Sequence, residues 1–150
     1  MPVNCIYFTP EIRCYRDGSV ERLFRGLKWK IMENKDNHNG YNTININNKM
    51  TLRHRIIAHC FLGLNIDTPI ELIDHIDRNR LNNAVNNLRI VNKQQNGYNR
   101  NAKGYTWHKL RNKWRAQIKI NGKNTHLGLF DNEEAASNAY QVAKLIHHII

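Results

Sequence analysis

Acidic residues are scarce in this chain: 12 Asp and Glu stand against 23 Lys and Arg in 150 residues, a formal net charge of +11. The cations are spread along the chain rather than gathered in a tail, so the imbalance points to a polyanionic partner, nucleic acid foremost. Cysteine is scarce too. Cys5, Cys14 and Cys60 are odd in number, with no CxxC among them; this argues against a disulfide framework and a structural zinc tetrad, and fits a reducing compartment. No apolar run is long enough for a membrane span or a signal peptide. The expected protein is therefore soluble and intracellular, with no membrane partner. Its 41% hydrophobic residues can fill one ordinary core or two small ones.

Up to about Met50 the chain reads as strands and turns. Asp17-Gly18 is a hairpin turn between the runs 12–15 and 20–23, and Asn39-Gly40 is a second turn before the alternating run 41–46. This β-rich part is expected to act as a brace for the rest of its domain. Residues 53–62 suit a helix, with Ile56, Ile57, Cys60 and Phe61 on one apolar face. His54 and His59 on that helix lack an adjacent acid and read as packed histidines rather than metal ligands. A strand is expected over 70–73.

Asparagine is frequent throughout, as the coding bias of an AT-rich genome would make it, but over residues 73–99 it is patterned. There Asp74 and His75 are followed by Asp77, Asn79, Asn82, Asn83, Asn86 and Asn87. The apolar run 88–91 suits a strand, and Asn92 can cap a short helix that carries Asn96 about one turn in. Strand, asparagine-pinned loop, strand and helix can bring an imidazole, a carboxylate and an amide to one point.

From Ala102 onward the character changes, and a boundary is placed near Asn101. A strand is expected over 104–108. Residues 114–120 alternate strictly, with Trp114, Ala116, Ile118 and Ile120 on one face and Arg115, Gln117 and Lys119 on the other. Asn121-Gly122 is a hairpin turn, 125–130 a third strand, and a helix opens at Asp131 or Asn132 with Glu133 and Glu134 in its first turn. Its expected apolar stripe is Ala136, Ala139, Tyr140, Ala143 and Ile146.

The series Asp74-His75-x-Asp77-x-Asn79, Asn82-Asn83, Asn87-Leu88-Arg89 and helical Asn96 resembles the HNH endonuclease signature, in the zinc-free form of mobile-intron homing endonucleases. His54-Arg55-Ile56-Ile57-Ala58 with Phe61 resembles the helix that precedes it. The resemblance implies phosphodiester hydrolysis on double-stranded DNA, with His75 as general base. It also implies one divalent cation, Mg²⁺ or Mn²⁺, held through oxygens of Asp74 and Asn96, with no structural zinc and no small-molecule cofactor. Asn87 matches the middle asparagine and would tie the loop and orient His75, while Asp77, Asn79, Asn82 and Asn83 shape the loop. Arg89 would contact a phosphate near the scissile bond or lie on the surface.

The C-terminal stretch resembles the AP2 DNA-binding domain through Trp114-Arg115-Ala116-Gln117-Ile118, Leu127-Gly128-Leu129-Phe130 and Glu134-Ala135-Ala136 with Ala139-Tyr140. Its implied DNA-facing set is Lys103, Thr106, His108, Arg115, Gln117, Lys119, Asn124 and His126. The expected fold is thus α+β: a ββα-metal HNH nuclease domain with a β-rich N-terminal scaffold over residues 1–100, then an AP2-like three-stranded antiparallel sheet on one helix over 101–150. One such site cuts one strand, so a monomer would nick and a double-strand break would need a homodimer or a second visit. The rival readings are a DNA-binding regulator with an inactive nuclease half and an RNA-binding module.

Overall fold

The structure is a computed structural model and describes residues 5–149. It divides into two compact units, one ending at Asn92 and the other beginning at Lys93.

In the first unit β1 (Cys5–Thr9), β2 (Ile12–Tyr15), β3 (Val20–Phe24) and β4 (Lys28–Ile31) form an antiparallel sheet in chain order. The Asp17-Gly18 turn joins β2 to β3 as the sequence predicts. Asp17 Oδ1 accepts from the Ser19 amide at 2.8 Å and its hydroxyl at 2.6 Å, closing an Asx turn. A second hairpin pairs β5 (Thr43–Ile46) with β6 (Lys49–Leu52). Its two turn residues, Asn47 and Asn48, both take positive φ, 50° and 63°, which the short polar side chain of asparagine tolerates.

The helix α1 (Arg53–Leu62) stops at Gly63, whose φ of 76° reverses the chain. It buries Ile56 and Ile57 against Ile12, Cys14, Val20, Ile44 and Leu88. The last strands of this unit, β7 (Leu72–His75) and β8 (Leu88–Val91), pair antiparallel with Asp74 opposite Arg89 and His75 opposite Leu88. The strand expected over 70–73 thus begins two residues later. Leu72 takes the first pairing, with Val91, Ile70 is 80% exposed, and Asp74 and His75 belong to the strand itself.

Arg53 ties these pieces together. It is 1% exposed, and its guanidinium donates to Asn42 Oδ1 (2.6 Å) and to the carbonyls of Gly18 (3.4 Å), Met32 (3.0 Å) and Glu33 (2.7 Å). Burial pushes its pKa down, and four oxygen acceptors offset the loss of water. One side chain thereby joins the first turn of α1 to the β2–β3 turn and to the segment after β4.

The second unit holds the short helix α2 (Lys93–Tyr98), a three-stranded antiparallel sheet and α3 (Glu133–His147). The strands are β9 (Tyr105–His108), β10 (Lys113–Ile120) and β11 (Lys123–Phe130), in spatial order β11-β10-β9. Asn132 caps α3, accepting from the Ala135 amide at 2.8 Å, with Glu133 and Glu134 at the positive end of the dipole. Ile118, Tyr140 and Ala143 form the core with Ile120 and Leu127. Gly104 is required where it stands: a Cβ there would lie 2.0 Å from the Tyr140 ring. The expected stripe holds at Ala136, Tyr140 and Ala143, but Ile146 is 59% exposed and lies outside the core.

Candidate active site

The β7–β8 ribbon delivers the two residues that open the patterned stretch. Asp74 and His75 are neighbours on β7, so their side chains leave opposite faces of the ribbon. Both are buried, at 7% and 5% exposure. Asp74 Oδ2 accepts from Arg89 Nη2 at 2.7 Å and Nε at 2.9 Å, a cross-strand ion pair set by the register. Arg89 therefore fixes the carboxylate from across the ribbon.

His75 Nε2 lies 3.2 Å from Asn83 Oδ1. Two rings flank the imidazole: His54 meets it edge-on at 5.1 Å between centroids, and Tyr41 lies at 6.1 Å. Burial pushes the His75 pKa below the ordinary imidazole value, against the opposing pull of the Asn83 hydrogen bond and the Asp77 and Asp74 charges. His75 is thus neutral at neutral pH, the state a proton acceptor needs. His54, 6% exposed, is pushed down to about 3, first by burial and then by His75 and Arg55. His59 is tied by Nδ1 to the Leu64 carbonyl at 2.8 Å.

The loop between the strands is closed by its own polar side chains. Asp77 Oδ1 accepts from the Asn79 amide (2.8 Å) and from Asn87 Nδ2 (2.9 Å), while Oδ2 accepts from Asn82 Nδ2 (2.7 Å). The Asn82 bond leads the causes that hold the Asp77 carboxyl below the usual carboxylate range. Asn87 returns the contact, its Oδ1 accepting from the Asp77 amide at 3.0 Å. So Asn87 grips the loop through Asp77, while the oxygen on the His75 ring belongs to Asn83.

Turns and connecting segments of the N-terminal part hold this loop from outside. The Val85 amide donates to the Arg16 carbonyl (2.8 Å), Asn34 Nδ2 to the Leu81 carbonyl (2.6 Å), and Arg80 Nη1 to the Asn39 carbonyl (3.0 Å). Gly18, at φ +86°, lies so close that a Cβ would sit 2.5 Å from the Asn83 carbonyl carbon. Asn34, Tyr41 and His54 as neighbours of the His75 cluster escape a reading of the motif alone. Asn34 and Asn83 are 49 residues apart, and no local pattern links them.

Asn96 lies half-buried on α2, in the second unit. In the same unit the register sorts the residues singled out on the sheet. Ala116 and Ile118 are buried, so Arg115, Gln117 and Lys119 occupy the other face. Thr106 pairs with Arg115, His108 with Lys113, His126 with Gln117 and Asn124 with Lys119, which sets all of them on that same face. A bulge between Ala116 and Gln117 leaves Leu127 without a partner in the register and lets it pack on the core. The register adds Lys113 and Leu129 to the face, and Lys103 is exposed just before β9.

Among the described residues no three His, Cys, Asp or Glu side chains cluster as a metal cage, and no helix is long and apolar enough to cross a membrane. On the β7–β8 ribbon Asp74 offers a carboxylate, a hard oxygen donor of the kind a divalent cation takes.

Residues 51–98, which carry Asp74, His75, Asn87 and Asn96, match the family model for HNH endonucleases. Protein 3.8 of Escherichia phage T7 is 32% identical over 83 residues, 50% of this chain and 69% of that protein. An uncharacterized HNH endonuclease of Acanthamoeba polyphaga mimivirus is 35% identical over 99 residues, 63% of this chain but only 51% of its own length. The HNH homing endonuclease I-HmuI, described for DNA binding and cleavage, superposes with a TM-score of 0.50 at 21% identity, over 79% of this chain and 72% of its own, a likeness of fold. The motif, the ribbon that presents it and these matches agree: residues 51–98 form an HNH endonuclease domain, of a family of DNA-cleaving enzymes that generally use a divalent metal ion.

Proposed function

We propose that this chain is a site-specific DNA endonuclease of the homing type, in which His75 takes the proton from the attacking water. The observation that carries the reading is a buried, neutral imidazole on β7 next in sequence to a carboxylate that Arg89 orients. Asp74 and Asn96 would hold one Mg²⁺ or Mn²⁺, which when bound supplies positive charge to the pentacovalent transition state and to the departing 3′ oxygen. Asn87, through Asp77, keeps the loop folded so that His75 keeps its place. Arg89 is proposed to act on Asp74 first and on a nearby phosphate second.

Residues 101–150, within the second unit, are proposed to be an AP2-like domain that binds duplex DNA by its uncovered sheet face. Lys103, Thr106, His108, Arg115, Gln117, Lys119, Asn124 and His126 would make those contacts. Support comes from the register, which gathers seven of these residues on the face away from α3, and from the net charge of +11.

Incubation of purified protein with supercoiled plasmid carrying the DNA that flanks its gene tests the reading. Cleavage is expected with Mg²⁺ or Mn²⁺ and lost with EDTA. His75→Ala is expected to slow cutting by at least about 100-fold while leaving DNA affinity within about threefold. Cutting at the wild-type rate by His75→Ala would remove the imidazole from the mechanism.

A further inference from the structure

We propose that Asn83 is a positioning residue that sets the tautomer of His75, holding the ring proton on Nε2 so that Nδ1 is the nitrogen carrying the lone pair. The proposal rests on His75 being the base and names which of its nitrogens does the work.

A side-chain amide has two orientations, and its partners decide between them. Asn83 Nδ2 faces two acceptors, Asn34 Oδ1 and the Leu81 carbonyl, both at 3.2 Å. Asn34 is itself fixed, because its Nδ2 donates to the Leu81 carbonyl at 2.6 Å and its oxygen is left toward Asn83. Rotating either amide would set oxygen against oxygen. The Asn83 oxygen therefore points at His75 Nε2, and at 3.2 Å that nitrogen must be the donor. The opposite tautomer would place two lone pairs against each other beside a side chain only 2% exposed, where water cannot intervene.

The backbone under Asn83 is held as tightly as its side chain. Gly18 abuts its carbonyl, and the Val85 amide two residues on bonds to Arg16. Loop closure is the work of Asn79, Asn82 and Asn87, whose side chains bond within the loop. Asn83 differs: its oxygen goes to the imidazole and its nitrogen reaches Asn34, back in the N-terminal segment. The identity of the basic nitrogen is thus set by a chain of two amides.

Nitrogen-15 spectra of the histidine rings in the full chain test this at mildly alkaline pH, with the His75 signals assigned by their loss in His75→Gln. Wild type is expected to show a protonated Nε2 and an unprotonated Nδ1. Asn83→Ala is expected to mix the tautomers and lower kcat roughly 10- to 100-fold with KM within about twofold. A protonated Nδ1 in wild type overturns the proposal even if no Asn83 variant folds, and so does an unaltered ring in Asn83→Ala. Wild-type cleavage by His75→Ala overturns instead the base reading beneath it, a result the ring spectra do not share.

Discussion

Acidification should destabilise the first unit through His54, by an amount the structure sets. In the folded chain this imidazole is buried beside His75 and its pKa falls from 6.5 to about 3. The unfolded chain therefore binds a proton that the folded chain refuses. Stability is then lost as the pH drops through the unfolded value, and the loss continues until the folded ring also protonates near the lower one. At about pH 5 the folded value lies well below the solution pH, so the cost is about 1.4 kcal/mol for each pH unit below 6.5, or about 2 kcal/mol. His75, shifted in the same direction, adds to the slope, so the His54 share is read as a difference between proteins. His54→Phe keeps a ring against Tyr41 and His75 and removes the titration. Urea unfolding followed by fluorescence of Trp29, in a Trp107→Phe/Trp114→Phe background, should show wild type losing about 2 kcal/mol more than His54→Phe between about pH 7 and about pH 5. Parallel stability–pH curves for the two proteins would refute a neutral, buried His54. The point bears on the proposed base role, because a cation 5.1 Å from the His75 ring would make it a weaker base.

Arg53→Met should destabilise the first unit by about 3–5 kcal/mol, since it strands a buried amide oxygen and part-buried carbonyls that one guanidinium now satisfies; a loss under about 1 kcal/mol in urea unfolding would refute its role as a tie. For the proposed DNA face, Arg115→Gln with Lys119→Gln should weaken binding to all duplexes alike. It should also flatten the dependence of log Kd on log salt by about 1.8, or about 0.9 for each phosphate no longer neutralised. An unchanged slope in a gel-shift salt titration would show that these two side chains do not meet phosphates.

Much of the second unit was legible because its signals are local. Strict alternation over 114–120, the Asn121-Gly122 turn and the Asn132 cap are decided within a few residues, and β10, β11 and α3 follow them. The bulge opposite Ala116 was not legible, since it answers to the need of Leu127 for the core rather than to any turn residue. In the first unit the Asp17-Gly18 hairpin and α1 were readable for the same local reason. Strands β1 and β4 were not, because Cys5–Thr9 and Lys28–Ile31 lack an alternation that marks an inner face and owe their place to pairing with β2 and β3. His54 was readable as packed, but that it packs on His75 was not.

The same division runs through the site. The motif places Asp74, His75 and Asn87 in one stretch of chain, and the asparagine loop folds on itself through contacts at most ten residues apart. What keeps the His75 imidazole neutral lies elsewhere in the chain: Tyr41 and His54 pack against its ring, and Asn34, through Asn83, turns the amide that meets it. Arg53 in turn fixes the segment that carries Asn34, by bonding to the Met32 and Glu33 carbonyls just before it. The β-rich N-terminal part thus does more than cover an apolar face. With α1 it supplies the low-dielectric wall and the hydrogen-bond polarity that a loop exposed to water could not give its own histidine, so the state of His75 depends on residues outside the asparagine-patterned stretch.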